Sequence, residues 1–239
     1  MSSVEHVTTM SLVQTASAHI LAQFHAYRQD TPSTVGPLFV AIQGPQGCGK
    51  TYLASQLRQV LESPLHALSV AILSIDDLLL PYDQLLSLSE SHPQNLLLKG
   101  RGLPGTHDIE LGRKLLNDLS HINEPAASGD SREVEIPSFD KSLHGGAGDR
   151  IEVRAVKRAP VDIVIVEGWC MGFCPITTED IDKRWSEPVQ GFEDVFSPSK
   201  YRKDDIVEVN EMLKDYQDFW PYFRVCIQVC ACEHISLHA

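Results

Sequence analysis

Residues 40–57 read VAIQGPQGCGKTYLASQL, and every other segment of the chain takes its meaning from them. An apolar run over 38–42 stops at Gly44-Pro45-Gln46-Gly47-Cys48-Gly49-Lys50-Thr51, after which Leu53 and Leu57 recur at helical spacing. Strand, glycine-rich loop and helix in that order separate a phosphate-binding GxxxxGK[ST] from a mere turn with a solvated lysine. A loop that wraps a phosphate needs positive φ angles and close backbone approach, which residues without a Cβ adopt most easily. The backbone N–H groups of 44–51 then face inward, and a helix starting at Lys50 adds unpaired amides and a positive dipole end. In this reading Lys50 is a point charge for β and γ phosphate oxygens, and the Thr51 hydroxyl is placed to ligate Mg²⁺. The expected cofactors are ATP and Mg²⁺.

Composition bounds the partners. The 239 residues hold 20 Lys and Arg against 32 Asp and Glu, a formal net charge of −12. Nucleic-acid binders grip phosphate backbones with clustered cations, so this balance argues against one. An enzyme acting on nucleoside triphosphates needs positive charge only inside its site. Length and composition suit one α/β domain, with 1–36 as N-terminal helix and linker, 37–229 as core and 230–239 as an atypical tail. No apolar run approaches a bilayer span, and residues 1–30 lack the basic start and cleavage site of a secretory signal. The expectation is a cytoplasmic or nuclear protein with no membrane partner. The six cysteines show no paired CxxC spacing, so neither a zinc ribbon nor a disulfide framework is indicated. Cys226, Cys230 and Cys232 with His234 could hold a metal, but a strand bearing small apolar side chains is the plainer reading.

Upstream of the loop, Leu12, Ala16, Ile20 and Phe24 predict an amphipathic helix over 11–28, ended by Asp30-Thr31-Pro32. Downstream, 68–75 reads as a buried parallel strand ending in Asp76-Asp77, and 81–91 as a helix. Residues 95–108, NLLLKGRGLPGTHD, have the composition of a shaped loop. Their Gly100, Gly102 and Gly105 match GxGxxG, but no strand precedes them and Pro104 sits where a dinucleotide turn should feed a helix. A helix is predicted over 109–119, with Ile109, Leu115, Leu116 and Leu119 apolar, followed by a polar connection over 122–132. Residues 135–150 read as a second glycine-rich, charged loop. A strand over 161–166 ends in Glu167-Gly168-Trp169; 170–200 look irregular. A helix over 204–219 presents Ile206, Val209, Leu213 and Tyr216, and 222–229 reads as a last strand.

Three apolar strands that each end in chemistry fit an open parallel sheet binding its ligand outside the strand ends. Transfer of a phosphoryl group to a hydroxyl needs one carboxylate to take the acceptor proton and another beside Thr51 to hold Mg²⁺ or its waters. Asp76 or Asp77 is placed for the first role and Glu167 for the second; the ordinary alternative is turn or N-cap acids that follow strands.

GPQGCGKT at 44–51, SIDDLLLPYDQ at 74–84, NLLLKGRGLPGTHD at 95–108, IPSFDKSLHGGAGDR at 136–150 and VEGWCMGF at 166–173 resemble segments of a known family. It comprises the P-loop small-molecule kinases related to plant and fungal D-glycerate 3-kinase, including the fungal ATP-dependent kinase group. Uridine kinase and phosphoribulokinase are more remotely similar. The resemblance runs over about 39–229, and its loop segments are far more specific than the phosphate loop alone. It implies a three-layer P-loop NTPase α/β fold with a mostly parallel sheet, and transfer of the γ-phosphate of ATP to a hydroxyl of a small, acidic, glycerate-like metabolite. It implies Lys50 and Asp76 as catalytic residues, with Asp76 the acceptor-side acid. Arg101, His107, Asp108, Lys141 and Arg150 then line the acceptor pocket; Asp77 joins them as a substrate-side candidate through its place at the strand end. Independently, Arg and Lys in glycine-supported loops suit an anionic acceptor, because a guanidinium pairs well with a carboxylate.

Two departures stand out. Leu78 and Leu79 follow the paired acids where the family often has aromatics, and 230–239 match nothing in the family. The second departure creates an expectation of C-terminal truncation with the adenine side of the site incomplete. A nucleotide-binding regulator and an inactive homologue are the alternatives to a kinase; the absence of an NKxD guanine signature argues against a GTPase-type switch.

Overall fold

The computed structural model describes residues 11–30, 36–126, 130–187, 201–230 and 235–238. In chain order the elements are α1 (Leu12–Asp30), β1 (Leu38–Gln43), α2 (Lys50–Leu61), β2 (Val70–Ser74), α3 (Tyr82–Ser91), α4 (Ile109–Ser120), β3 (Glu133–Asp140), β4 (Asp149–Arg158), β5 (Ile163–Gly168), α5 (Thr178–Ser186), α6 (Lys203–Met212), β6 (Val225–Val229) and β7 (Ile235–His238). Turns of 3-10 helix lie at Ile75–Leu78, Leu96–Leu98, His144–Gly146 and Leu213–Tyr222.

The sheet order is β2-β5-β1-β6-β7, in which the first four strands are parallel and β7 closes the edge antiparallel to β6. β1 reads as a continuous apolar run because both of its faces are covered. Leu38, Val40 and Ile42 pack with Ile163, Ile165, Leu53 and Leu57 beneath α1 and α2. Phe39 and Ala41 face the other way, onto Val164, Val166, Leu115, Leu119 and Phe219. Two helical layers thus sandwich the sheet, as expected from the sequence. Each fully buried Val, Leu or Ile contributes roughly 1.5–3 kcal/mol, so this double-sided packing fixes the strands that carry the site. Arg28 in α1 reaches the Asp162 carboxylate at 3.1 Å, tying the outer helix to the entry of β5.

Several expectations change. Residues 135–150 are not one loop: β3 and β4 pair as an antiparallel hairpin whose turn alone holds the glycines. Pro137, which has no N–H to give the ladder, sits where the register shifts. Within 170–200, α5 forms under an N-cap in which Thr177 accepts from the Asp180 amide at 3.1 Å. The helix expected over 204–219 is α only to Met212 and then tightens to 3-10; Leu213 and Tyr216 are buried, whereas Ile206 and Val209 are half-buried. Within the tail, 235–238 form β7; Cys232 and His234 lie outside the described residues. No helix among the described residues is long and apolar enough to cross a membrane.

Candidate active site

At the carboxyl end of β1, Gly47 and Gly49 take positive φ of 78° and 86°, and a Cβ on either would point into open space. Gly44 is required for another reason. A Cβ there would lie 2.6 Å from the Val229 carbonyl oxygen and 2.7 Å from Cys48 Sγ, so glycine is what lets the loop start against the end of β6. Gly49 caps α2 without a side-chain hydrogen bond, which leaves the first-turn amides to face a ligand. Lys50 is buried at 8% exposure and donates to the Pro45 carbonyl at 2.9 Å. Thr51 Oγ1 donates to Glu167 Oε1 at 2.8 Å. Parallel register explains the meeting: Glu167 stands opposite Ile42 of β1 and Ser74 of β2, so loop, carboxylate and acid pair emerge at one sheet edge. Gly168 allows the acid turn to press against β5, since a Cβ there would meet Ile75 Cγ2 at 2.4 Å.

The two strand-end acids diverge. Ser74 Oγ accepts from the Asp76 amide at 3.3 Å, and Asp76 Oδ2 meets Lys141 Nζ at 2.6 Å. Asp77 instead accepts from the Phe139 amide at 3.1 Å, so its carboxylate moors β3. Burial pushes the Asp77 carboxyl up, against the lowering effect of the Phe139 and Ser74 amides. A cavity of about 260 Å³ is lined by Gln46, Gly47, Gly49, Lys50 and Thr51, by Asp76 and Lys141, and by Glu167, Gly168 and Trp169. A wider cleft of about 720 Å³, lined among others by Asp118, Arg132 and Glu133, contains none of these groups.

The remaining acceptor-side residues lie outside that lining and are engaged by partners within the protein. Arg101 donates to the carbonyls of Gly146 and Ala147, with its guanidinium 5.8 Å from the Phe139 ring centre, so the 95–108 loop is clasped to the hairpin tip. Asp108 caps α4 by accepting from the Leu111 amide at 3.0 Å and pairs with Arg150 Nη1 at 3.1 Å. Arg150 Nη2 also donates to the Leu79 carbonyl at 2.8 Å. His107 is 4% exposed, and its Nδ1 lies 2.6 Å from the Tyr216 hydroxyl. Burial lowers the His107 pKa to about 4, opposed by the Asp76 charge. Trp169, not expected as a site residue, lines the cavity while its Nε1–H donates to the Gly102 carbonyl at 2.8 Å. Its place two residues after Glu167, just past the end of β5, was the available signal. Tyr216, read only as a core residue, gave none.

The Thr51 hydroxyl and Glu167 carboxylate are hard oxygen donors in contact beside a phosphate-type loop, which fits Mg²⁺. The D-glycerate 3-kinase of Cryptococcus neoformans var. grubii has a solved structure that matches this one with a TM-score of 0.81. It is 31% identical and the match covers 92% of this chain and 73% of that one. The chain belongs to the D-glycerate 3-kinase family of P-loop kinases. Within that family it is 38% identical over 183 residues to the probable ATP-dependent kinase TDA10 of Saccharomyces cerevisiae, covering 76% of this chain and 57% of that protein. The chloroplastic D-glycerate 3-kinase of Arabidopsis thaliana is 31% identical over 147 residues, covering 61% of this chain and 31% of that protein. This chain therefore spans less than two thirds of the length of both curated relatives. No family model matches it.

Proposed function

We propose that the protein is an ATP-dependent kinase that transfers the γ-phosphate to a hydroxyl of a small anionic metabolite of the glycerate type. The observation that carries the reading is one cavity in which a phosphate loop, the Thr51–Glu167 pair and the Asp76–Lys141 pair face each other. The loop amides and the start of α2 bind the triphosphate, and Lys50 turns its ammonium from the Pro45 carbonyl to the β and γ oxygens. Thr51 and Glu167 would hold Mg²⁺, directly or through water, and the ion would supply neutralising charge at those oxygens. Asp76, fixed by Lys141 at Oδ2, takes the acceptor hydroxyl proton at Oδ1. A bond forms from that acceptor oxygen to the γ phosphorus as the bond from phosphorus to the β–γ bridging oxygen breaks, leaving ADP and a phosphomonoester. Lys141 has three ammonium donors, and those not spent on Asp76 suit the acceptor's anionic group.

The test is ADP production from Mg·ATP with and without a panel of hydroxy acids and uncharged polyols. Stimulation by hydroxy acids is expected; stimulation by neutral polyols alone would overturn the anionic-acceptor reading.

A further inference from the structure

We infer that Tyr216 is a positioning residue for the acceptor side of the site: its hydroxyl holds His107 in the tautomer carrying its proton on Nε2, and that N–H donates to an oxygen of the phosphoryl acceptor. The identity of the ligand rests on the kinase reading above; the tautomer does not.

Tyr216 is fully buried, and its oxygen accepts from the Gly105 amide at 3.1 Å and is faced by the His107 amide as well. A phenolic oxygen has one proton to give and two lone pairs. With backbone amides on its lone pairs, that proton goes to His107 Nδ1, 2.6 Å away. A ring nitrogen that accepts carries no proton, so the proton of the neutral imidazole sits on Nε2. Nε2 is buried and meets no partner among the described residues, a condition native folds seldom keep without a ligand or water to relieve it.

His107 lies outside the lining of the 260 Å³ cavity, so its tie to the acceptor side is through the segment that follows Asp76. The Leu80 amide donates to the Thr106 carbonyl at 3.0 Å and the Asp108 amide to the Leu78 carbonyl at 2.7 Å, which sets His107 alongside the segment that follows Asp76. The Asp76 carboxylate is the charge felt at the ring. Burial keeps the imidazole neutral far below physiological pH, so it recognises an oxygen lone pair without adding charge. Charge is left to Lys141, whereas the His107 donor favours an acceptor with a second oxygen beside the reacting one. A site that hydrogen-bonds such an oxygen rejects analogues lacking it, since its buried donor is then left unpaired.

Nitrogen-15 histidine NMR of the full chain reads the tautomer without any turnover, with the His107→Asn variant assigning the signal. The expected signature is an unprotonated Nδ1 and a protonated Nε2, lost or mixed in Tyr216→Phe, which keeps the ring and the packing. Kinetics with D-glycerate as probe should show its KM raised at least about tenfold in Tyr216→Phe while the KM for ATP stays within about twofold. A protonated Nδ1 in the wild type overturns the inference. So does an unchanged D-glycerate KM, or an equal loss for both substrates, which would mark Tyr216 as structural. Absence of turnover with every hydroxy acid in the wild type would sink the kinase reading and the acceptor half of the inference, leaving the tautomer to be judged by NMR alone.

Discussion

In the proposed reaction Lys50, Asp76 and Glu167 divide the phosphoryl chemistry, so each should fail differently when removed. Lys50→Ala should lose at least about 10²-fold in turnover with an unchanged melting temperature, because its ammonium acts on developing phosphate charge. Asp76→Asn should lower kcat by roughly 10²- to 10⁴-fold with little effect on ATP binding. Glu167→Gln should instead raise the Mg²⁺ concentration needed for half-maximal rate; the reverse pattern in the two variants would exchange their roles. His107 gives a stability prediction. Its folded pKa of about 4 lies below the ordinary value of 6.5, so its contribution is present above pH 6.5 and is lost as pH falls toward 4. From pH 7 to pH 4 the wild type should lose roughly 2–3 kcal/mol more than His107→Gln in urea unfolding. Asp77, pushed up by burial, acts in the opposite sense in both proteins and cancels in the comparison. Equal losses would mean that the ring is not buried neutral. The phosphate loop and both strand-end acids were legible in the sequence because each directly follows an apolar run. Which of Asp76 and Asp77 faces the cavity was not, since it depends on where Phe139 comes to lie.

The β3–β4 hairpin delivers Lys141 to Asp76, and it is held by Asp77 at the turn end of β3 and by Arg101 at the turn itself. Its strands were hidden by Pro137 and by glycines that belong to the turn, although Val134 and Ile136 are buried in the core and Phe139 is buried as well. Alternation with charged residues in 149–158 was the usable sign of β4. If the hairpin is what places Lys141, then Asp77→Ala should reduce kcat and raise the KM for the anionic acceptor together, at a stability loss of about 1–2 kcal/mol for the freed Phe139 amide. Thermal melts beside steady-state kinetics check this. A variant that loses stability but keeps both kinetic constants would show that the hairpin needs no such mooring. α5 was likewise missed, because its N-cap at Thr177 is a short-range signal inside a stretch otherwise rich in Pro and charge.

Across the whole molecule, the layered fold was readable because parallel strands covered on both faces leave unbroken apolar runs, as at 38–42 and 161–166. Sheet order was not readable. Placing β5 between β2 and β1 is what brings Glu167 to Thr51, and nothing local in either segment encodes that neighbourhood. Nor was the pairing of Asp108 with Arg150, or the hold of Arg101 and Arg150 on backbone carbonyls, since partners distant in sequence satisfy them. The account stands on coupling between a nucleotide held at the β1 edge and a hydroxyl held at Asp76. The most direct measurement is ³¹P NMR of Mg·ATP with the protein, with and without D-glycerate and related hydroxy acids, beside the Lys50→Ala variant. The account predicts a new phosphomonoester resonance growing in step with ADP only when the acceptor is present and only with Lys50 intact; ADP and inorganic phosphate appearing equally in all samples, with no phosphomonoester, would contradict it.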